Sequence, residues 1–194
     1  MTTISIPLQL QARLSVLPEG LLAHVRWVQA IARELAAAHG VDPDLAELTA
    51  AAHDVARHLP PRQLLEEAQR LGLPVHAVEA YAPVLLHGPV GAAWLRRDGG
   101  ITDPAVLEGV HWHTTAHPDL APVGQVVFLA DKLDPAKAGV YPFQEEVRAA
   151  AYRDLAEGML AFLDGALRWH VDRGDMVHPV SIEVRNALIL ARAC

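Results

Sequence analysis

The chain has 194 residues, of which 23 are acidic and 16 basic, and its formal net charge is −7. Its length fits one domain with a substantial core, and a hydrophobic fraction of 52% argues against disorder. A single cysteine excludes a disulfide framework and a cysteine-rich zinc site, while the acidic balance argues against a nucleic-acid partner. Because no segment reads as a signal peptide or membrane span, we expect a cytoplasmic protein with no membrane partner.

Abundant Ala, Leu, Glu, Gln and Arg favour helices along the chain. Apolar spacing predicts a first helix over 21–38, and Asp42-Pro43 begins a second that continues until Pro60-Pro61. Further helices are predicted at about 61–71, 90–97, 104–112, 123–132, 144–169 (with a break allowed) and 179–193. Only residues 4–10 show strand-like alternation. The sequence therefore predicts one all-α domain over 1–194, with a core at about 20–135 and C-terminal helices at about 144–193 packed on it.

The histidines are the unusual feature, because seven of the eleven lie between residues 53 and 117. Any single imidazole is weak evidence, since most are surface groups or satisfied core residues. His53-Asp54 carries more information, because it lies in an apolar helical stretch where a carboxylate must be paired, hydrogen-bonded or bound to metal. Asp131 ends another apolar run, where the helix dipole disfavours an acid. A salt bridge to a nearby Arg or Lys is the alternative explanation for Asp131.

Three more histidines lie beside apolar sequence or at predicted helix ends. The candidate ligand set is then four imidazoles and two carboxylates: His24, His53, Asp54, His87, His113 and Asp131. Nitrogen and oxygen ligands without sulfur suit iron, manganese, zinc or nickel. If Asp54 bridges, the six ligands divide between two metals, and ions about 3.5–4 Å apart can activate water and hold a phosphoryl group.

The order His24, His53-Asp54 and Asp131 resembles that of the HD-domain metal-dependent phosphohydrolases. Longer segments are similar to the YqeK-type branch of that family, the symmetrical bis(5′-nucleosyl)-tetraphosphatases. These segments are 51–57, 85–92, 113–115, 128–135, 177–179 and 185–188. The resemblance extends over about residues 20–190.

The resemblance implies a single-domain, all-α HD-domain helical bundle that hydrolyses diadenosine tetraphosphate to two ADP. It also implies two divalent or trivalent metal ions, most often iron, with manganese or another transition metal as alternatives. Carried over by position, one ion takes His24, His53, Asp54 and Asp131, and the other takes bridging Asp54, His87 and His113. Asp54 then has a catalytic role, because a metal-bridging hydroxide attacks a central phosphorus.

A polyphosphate on an acidic protein needs local cations and hydrogen-bond donors. The candidates for substrate binding are Arg57, Thr114, Lys132 and Lys137. The alternative to a phosphate contact is a solvated surface charge for each lysine or arginine. For Thr114 the alternative is a helix cap. His111 and His117 flank His113 and are candidates to donate a proton to the leaving phosphate.

Three positions depart from the family pattern and bear on substrate preference. Trp27 stands where an arginine is expected, Ala116 replaces a usual glycine, and Asp134 replaces a usual glutamate. Two other functions stay open: a nucleotidase or pyrophosphohydrolase acting on mononucleotides or guanosine tetraphosphate, and a non-catalytic nucleotide-sensing HD module. In each case the partner is a small nucleotide, and the Ala-rich exposed faces permit a homodimer.

Overall fold

The computed structural model describes residues 6–193, and all regular structure within them is helical. The helices are α1 (Leu8–Leu14), α2 (Glu19–Ala38), α3 (Pro43–Ala52), α4 (Pro61–Arg70), α5 (Ala77–Tyr81), α6 (His87–Asp98), α7 (Pro104–Trp112), α8 (Pro122–Lys132), α9 (Gln144–Ala151), α10 (Leu155–Arg173) and α11 (Pro179–Arg192). Short 3₁₀ helices cover Pro83–Leu86 and Pro135–Lys137. The predicted all-α class is confirmed.

Helix starts follow the local sequence closely. The Asp42 carboxylate accepts the backbone N–H of Asp44 at 2.9 Å, and Pro43 occupies the first position of α3. Asp103 caps α7 in the same way, and α7 has the predicted bounds. These cap signals are local, so the sequence alone suffices to find them.

The predicted second helix is too long, because α3 ends at Ala52, well before Pro60. The chain continues as hydrogen-bonded turns, with the Arg57 amide donating to the Asp54 carbonyl at 2.9 Å. His53 and Asp54 therefore lie just beyond the end of a helix and not in its middle. The backbone of His53 still has helical angles, φ −56° and ψ −40°, but hydrogen bonds between residues three apart follow it in place of the regular helical ones.

Other predicted elements differ at their ends or were missed. The segment predicted at 144–169 is two helices, and Asp154 caps the second of them through the Glu157 amide. Helix α6 begins at His87, three residues before the predicted start. Helices α1 and α5, of seven and five residues, were not predicted as helices. Residues 8–10 of the strand-like stretch begin α1, while residues 4 and 5 lie outside the described part of the chain.

Four helices form the centre of the fold: α2 packs on α3 and α8, and α7 packs on α3 and α8. Nine of the eleven residues of α8 are buried, as its apolar sequence predicts. Helix α10 contacts α8, α9 and α11, so it joins the C-terminal helices to the centre. Phe128 on α8 meets Phe162 on α10 edge to face, with 5.4 Å between ring centroids. Within residues 6–193, no helix has both the length and the apolar character needed to cross a membrane.

Candidate metal centre and adjoining cavity

Six polar side chains converge between the central helices, and all but the half-buried His24 are buried. His24 lies in the second turn of α2, His87 is the first residue of α6, and Asp131 is near the end of α8. His53 and Asp54 directly follow α3, and His113 directly follows α7. The structure thus brings together the complete ligand set proposed from the sequence.

The first group of ligand atoms comprises two imidazoles and two carboxylates. His24 Nε2 lies 3.3 Å from His53 Nε2, 3.1 Å from Asp131 Oδ1 and 3.6 Å from Asp54 Oδ2. His53 Nε2 lies 3.5 Å from the same Asp54 oxygen and 3.8 Å from Asp131 Oδ1. Ligands held at about 2.0–2.2 Å from one ion are separated by about 3–3.6 Å, so these four atoms fit one coordination sphere.

The second group uses the other oxygen of Asp54. Asp54 Oδ1 lies 2.9 Å from His87 Nε2 and 3.4 Å from His113 Nε2, and the two imidazole nitrogens are 2.8 Å apart. One carboxylate therefore faces two separate groups of imidazoles, one with each oxygen. This is the arrangement that a bridging ligand between two ions requires.

The opposite nitrogen of every imidazole in the centre faces an acceptor. The partners are the Ala50 carbonyl for His53 at 2.6 Å, the Val110 carbonyl for His113 at 2.7 Å, the Val84 carbonyl for His87 and the Asp134 carboxylate for His24 at 2.5 Å. Since these oxygens only accept, each Nδ1 carries a hydrogen, and a ring in its neutral form directs an Nε2 lone pair inward. Two facing lone pairs, as between His87 and His113, need a cation between them, so the donor set fits a metal.

Burial and charge set the protonation states that metal ligands need. Burial lowers the pKa of His53, and it lowers the pKa of His113 to about 3. Burial alone would raise the pKa of Asp54 and Asp131. Their neighbouring groups outweigh burial and hold the pKa of both carboxyls well below the usual range. For Asp54 the opposing groups are imidazoles, and for Asp131 they are chiefly two lysines. The neutral imidazoles of His53 and His113 beside ionised carboxylates are ready to bind a cation.

Asp131 also forms the salt bridges that were the alternative explanation for it. Lys132 Nζ lies 2.5 Å from Asp131 Oδ2 and donates to the His113 carbonyl at 3.0 Å. Lys137 Nζ donates to Asp131 Oδ1. These ion pairs coexist with the imidazole contacts of the same carboxylate and do not replace them.

Sequence reasoning missed Asp134 as a part of this centre. Its buried carboxylate accepts the Nδ1–H of His24 at 2.5 Å and, with the other oxygen, the Ala136 amide at 2.9 Å. Burial alone would lower the pKa of His24. Its hydrogen bonds to Asp131 and Asp134 and the charge of Asp131 outweigh burial, so the pKa of His24 is raised. An acid before Pro135 was a visible local signal, but its partner lies 110 residues away and only the tertiary structure shows it.

A cavity of about 370 Å³ adjoins the centre. Its lining includes His87 of the metal centre together with Arg57, Thr114 and Lys132. Three of the four residues predicted to bind substrate therefore lie along it. Lys137 is not part of the lining and instead pairs with Asp131.

The two histidines proposed as proton donors lie against Trp112. The ring centroid of His111 is 4.3 Å from that of Trp112, and the centroid of His117 is 4.7 Å from it. Burial lowers the pKa of His111 to about 4, and its side chain lines a separate pocket with Arg96. Neither ring lines the cavity beside the metal centre, so their placement does not favour proton donation to a substrate there.

Ala116 occupies the position where the resemblance predicts glycine. Its φ is +61°, in the left-handed region where a Cβ costs about 1–2 kcal/mol. The family preference for glycine therefore has a local conformational cause. The substitution affects backbone strain after His113 and leaves the metal ligands untouched.

The sequence profile of the HD domain matches residues 21–136, which include all six converging side chains. The chain belongs to the HD-domain family. Two similar proteins, both named bis(5′-nucleosyl)-tetraphosphatase, symmetrical, come from Bacillus subtilis and Halalkalibacterium halodurans. They are 29% and 30% identical over 86% of this chain and 88% of their own lengths.

A solved structure supports the same fold. It is a crystal structure from Clostridium acetobutylicum described as a predicted HD superfamily hydrolase involved in NAD metabolism. It has a TM-score of 0.87 and 27% identity, and the match covers 94% of this chain and 96% of that one. HD-domain hydrolases bind divalent metals, so the cluster of histidine and aspartate has the composition that the family requires.

Proposed function

We propose that this chain is a metal-dependent hydrolase that cleaves diadenosine tetraphosphate symmetrically into two ADP. The observation that carries the proposal is the Asp54 carboxylate, each oxygen of which faces its own group of imidazoles beside a cavity. The names of the two similar bacterial proteins supply the substrate class, a dinucleoside tetraphosphate, and the symmetrical cleavage. We place the enzyme in the cytoplasm, where adenine nucleotides are made and used.

The proposed cofactor is a pair of iron ions held by the six converging side chains. Nitrogen and carboxylate ligands suit iron and manganese alike, so the residues of the site permit either metal. When bound, such a pair supplies water activation and neutralises charge that develops on phosphoryl oxygens.

The protein's own cations hold the rest of the phosphate chain in this proposal. Lys132 is buried, lines the cavity and has two of its three N–H groups directed to Asp131 and the His113 carbonyl. Its third N–H is available to a phosphate oxygen. Arg57 is exposed where it lines the cavity, and there it can neutralise a more distal phosphate.

Product identification together with elemental analysis tests the function. We expect the purified full-length chain to carry two metal equivalents, with iron giving the highest turnover, and to form two ADP from each diadenosine tetraphosphate. Formation of AMP and ATP would contradict symmetrical cleavage. Turnover of mononucleotides or guanosine tetraphosphate without turnover of the dinucleotide would support the nucleotidase alternative.

A substitution at Asp54 tests whether this residue bridges the two metal ions. Asp54→Ala should lose metal binding and activity together, because it removes a ligand from both groups. Asp119→Ala is the matched control, since that carboxylate is 92% exposed. Full activity in the Asp54 variant would show that the bridge is wrongly assigned, and metal binding without turnover in the native protein would favour a sensing module.

A further inference from the structure

The cavity has two walls of different origin. One wall contains His87, Thr114 and Lys132, close to the metal centre. The other comes from the end of α10, residues 175–178 and the start of α11, all outside the 21–136 segment that matches the HD domain. The Ser181 hydroxyl donates to the Thr115 carbonyl at 2.8 Å, which holds this second wall next to the metal centre.

Two buried nitrogens of the second wall have no hydrogen-bond partner in the part of the chain that the structure describes. They are His170 Nδ1 and His178 Nε2, and both residues line the cavity. Burying a polar atom without a partner is unfavourable, so such atoms are rare in native proteins. Of the two, His170 Nδ1 has an ion-pair contact with Asp175, so His178 Nε2 is the atom whose partner a bound molecule would have to supply.

The hydrogen of His178 can be located from its other contact. His178 is the N-cap of α11, and its Nδ1 accepts the Val180 amide at 3.3 Å. In the neutral ring the hydrogen is therefore on Nε2, a buried donor in a residue that lines the cavity. Burial lowers the pKa of His178, which favours this neutral form.

One carboxylate lies on the same wall. Asp175 lines the cavity with an oxygen 3.5 Å from His170 Nδ1, and the same oxygen accepts from Arg173 Nε at 3.3 Å. A ligand that fits this wall therefore needs an acceptor for His178 and a donor for Asp175 or His170. Tyr81, Leu85, Met176 and Ile182 supply apolar lining for a flat ring.

We propose that His178 and His170, with Asp175, bind the purine base of one half of the substrate. A purine ring nitrogen accepts from His178 Nε2, and an amino group on the base donates to Asp175. The inference rests on the proposed function, because it assigns the base of that same substrate. The metal centre within the HD segment then handles the phosphates, and the C-terminal helices select the nucleoside.

Binding calorimetry on the metal-loaded full chain distinguishes the contribution of the base to binding from that of the phosphates. The probes are ADP, which carries the base, and pyrophosphate, which does not. His178→Asn keeps a cap acceptor for α11 in its amide oxygen, and its shorter side chain leaves no donor at the place of Nε2. We expect it to weaken ADP binding about three- to tenfold, the effect of one hydrogen bond, and to leave pyrophosphate binding unchanged.

His76→Asn is the matched control. His76 caps α5 through Nδ1 as His178 caps α11, and its ring lies 5.0 Å from that of His178, but it is exposed and does not line the cavity. This variant should bind both probes as the native protein does. His170→Phe, which replaces the imidazole by an aromatic ring without nitrogen, is a second variant and should weaken the binding of ADP but not of pyrophosphate.

Equal ADP affinity in the native and both cavity variants would overturn the inference. So would equal losses for ADP and pyrophosphate, because a general distortion would then explain them. His178-dependent ADP binding without cleavage of diadenosine tetraphosphate would support the subsite and reject the proposed function. Symmetrical cleavage with ADP binding unaffected by these variants would reject the subsite alone.

Discussion

Each imidazole of the candidate metal centre has its orientation fixed by a second contact. For His53 and His113 the contact is a backbone carbonyl three residues earlier, which local geometry provides at almost no cost. His24 lies inside α2, in its second turn, where the carbonyls are engaged by the helix, so its Nδ1 needs a side chain as partner. Asp134 is that partner, at 2.5 Å.

Asp134→Asn tests this orientation at the scale of one residue. The amide oxygen can keep the cap on Ala136, while the amide nitrogen replaces the acceptor that faces His24. We expect metal affinity to fall about 10- to 100-fold, the usual effect of losing such a supporting contact. Competition titration with a chelating dye measures it. Asp119→Asn serves as the exposed control, and an unchanged affinity in the Asp134 variant would show that His24 needs no such partner.

At the scale of elements, the close approach of α6 to α7 brings His87 and His113 together. A Cβ on Gly88 would lie 2.5 Å from the His111 carbonyl oxygen and 3.0 Å from the Val110 carbonyl oxygen. The Val110 carbonyl is also the acceptor that orients His113. Glycine is therefore required here for spacing between backbones and not for an unusual dihedral angle.

Gly88→Ala should separate the two helices. Because the clash is with backbone atoms that cannot rotate away, we expect a loss of about 1–3 kcal/mol in the free energy of unfolding. We also expect metal content to fall from two equivalents toward one. Chemical denaturation and elemental analysis measure the two effects. Gly20→Ala is the control, since nothing lies within 4 Å of a Cβ there, and equal stability of both variants would refute the packing argument.

A second link between elements depends on pH. Trp94 Nε1 on α6 donates to Glu67 Oε1 on α4 at 2.5 Å. The Arg70 hydrogen bond, together with that of Trp94, lowers the pKa of Glu67 from 4.5 to about 2. The unfolded chain therefore takes up its proton first, so this stabilisation is present above about pH 4.5 and is lost as the pH falls through 2.

Glu67→Gln should show the pH range over which the charge of Glu67 stabilises the fold. At pH 7 we expect the variant to be less stable by about 1 kcal/mol, since a charged hydrogen bond becomes a neutral one. The difference should shrink steadily below pH 4.5 in urea unfolding measured over a pH series. A difference that is independent of pH would mean that packing, and not the charge of Glu67, links the two helices.

At the scale of the whole molecule, the candidate metal centre joins helices that are distant in the chain. Its six candidate ligands extend from residue 24 to residue 131, and three of them lie on α2, α6 and α8. In the described structure the lysines at 132 and 137 offset part of the negative charge beside Asp131. A ligand that binds only the folded state stabilises that state by mass action.

Metal removal should therefore lower the melting temperature. For metal in hundredfold excess over its dissociation constant we expect a decrease of about 5–10 °C after chelation, in a chain of this size. Differential scanning calorimetry before and after chelation measures it. Asp54→Ala should melt at one temperature with or without the chelator, and a native protein that is insensitive to chelation would contradict a centre with bound metal.

The helices that sequence predicted best are those with local start signals. Asp42-Pro43 and Asp103-Pro104 fix where α3 and α7 begin, and the buried run of α8 was recognisable from its composition. The end of α3 was wrong because the sequence stays apolar and helix-forming through residue 56. What stops the helix at Ala52 is the turn that carries His53 and Asp54 into the centre.

The sequence by itself determined the all-α class, the HD-domain family and the six candidate ligands, because each depends on residue types, short spacings and local caps. Only the tertiary structure decided which groups share a coordination sphere and that Asp134 supports His24. It also placed Lys137 on Asp131 and left the Nε2 of His178, a residue that lines the cavity, without a hydrogen-bond partner in the described chain. Those facts depend on contacts between residues far apart in the chain, and such distances are set by how helices pack and not by any local pattern.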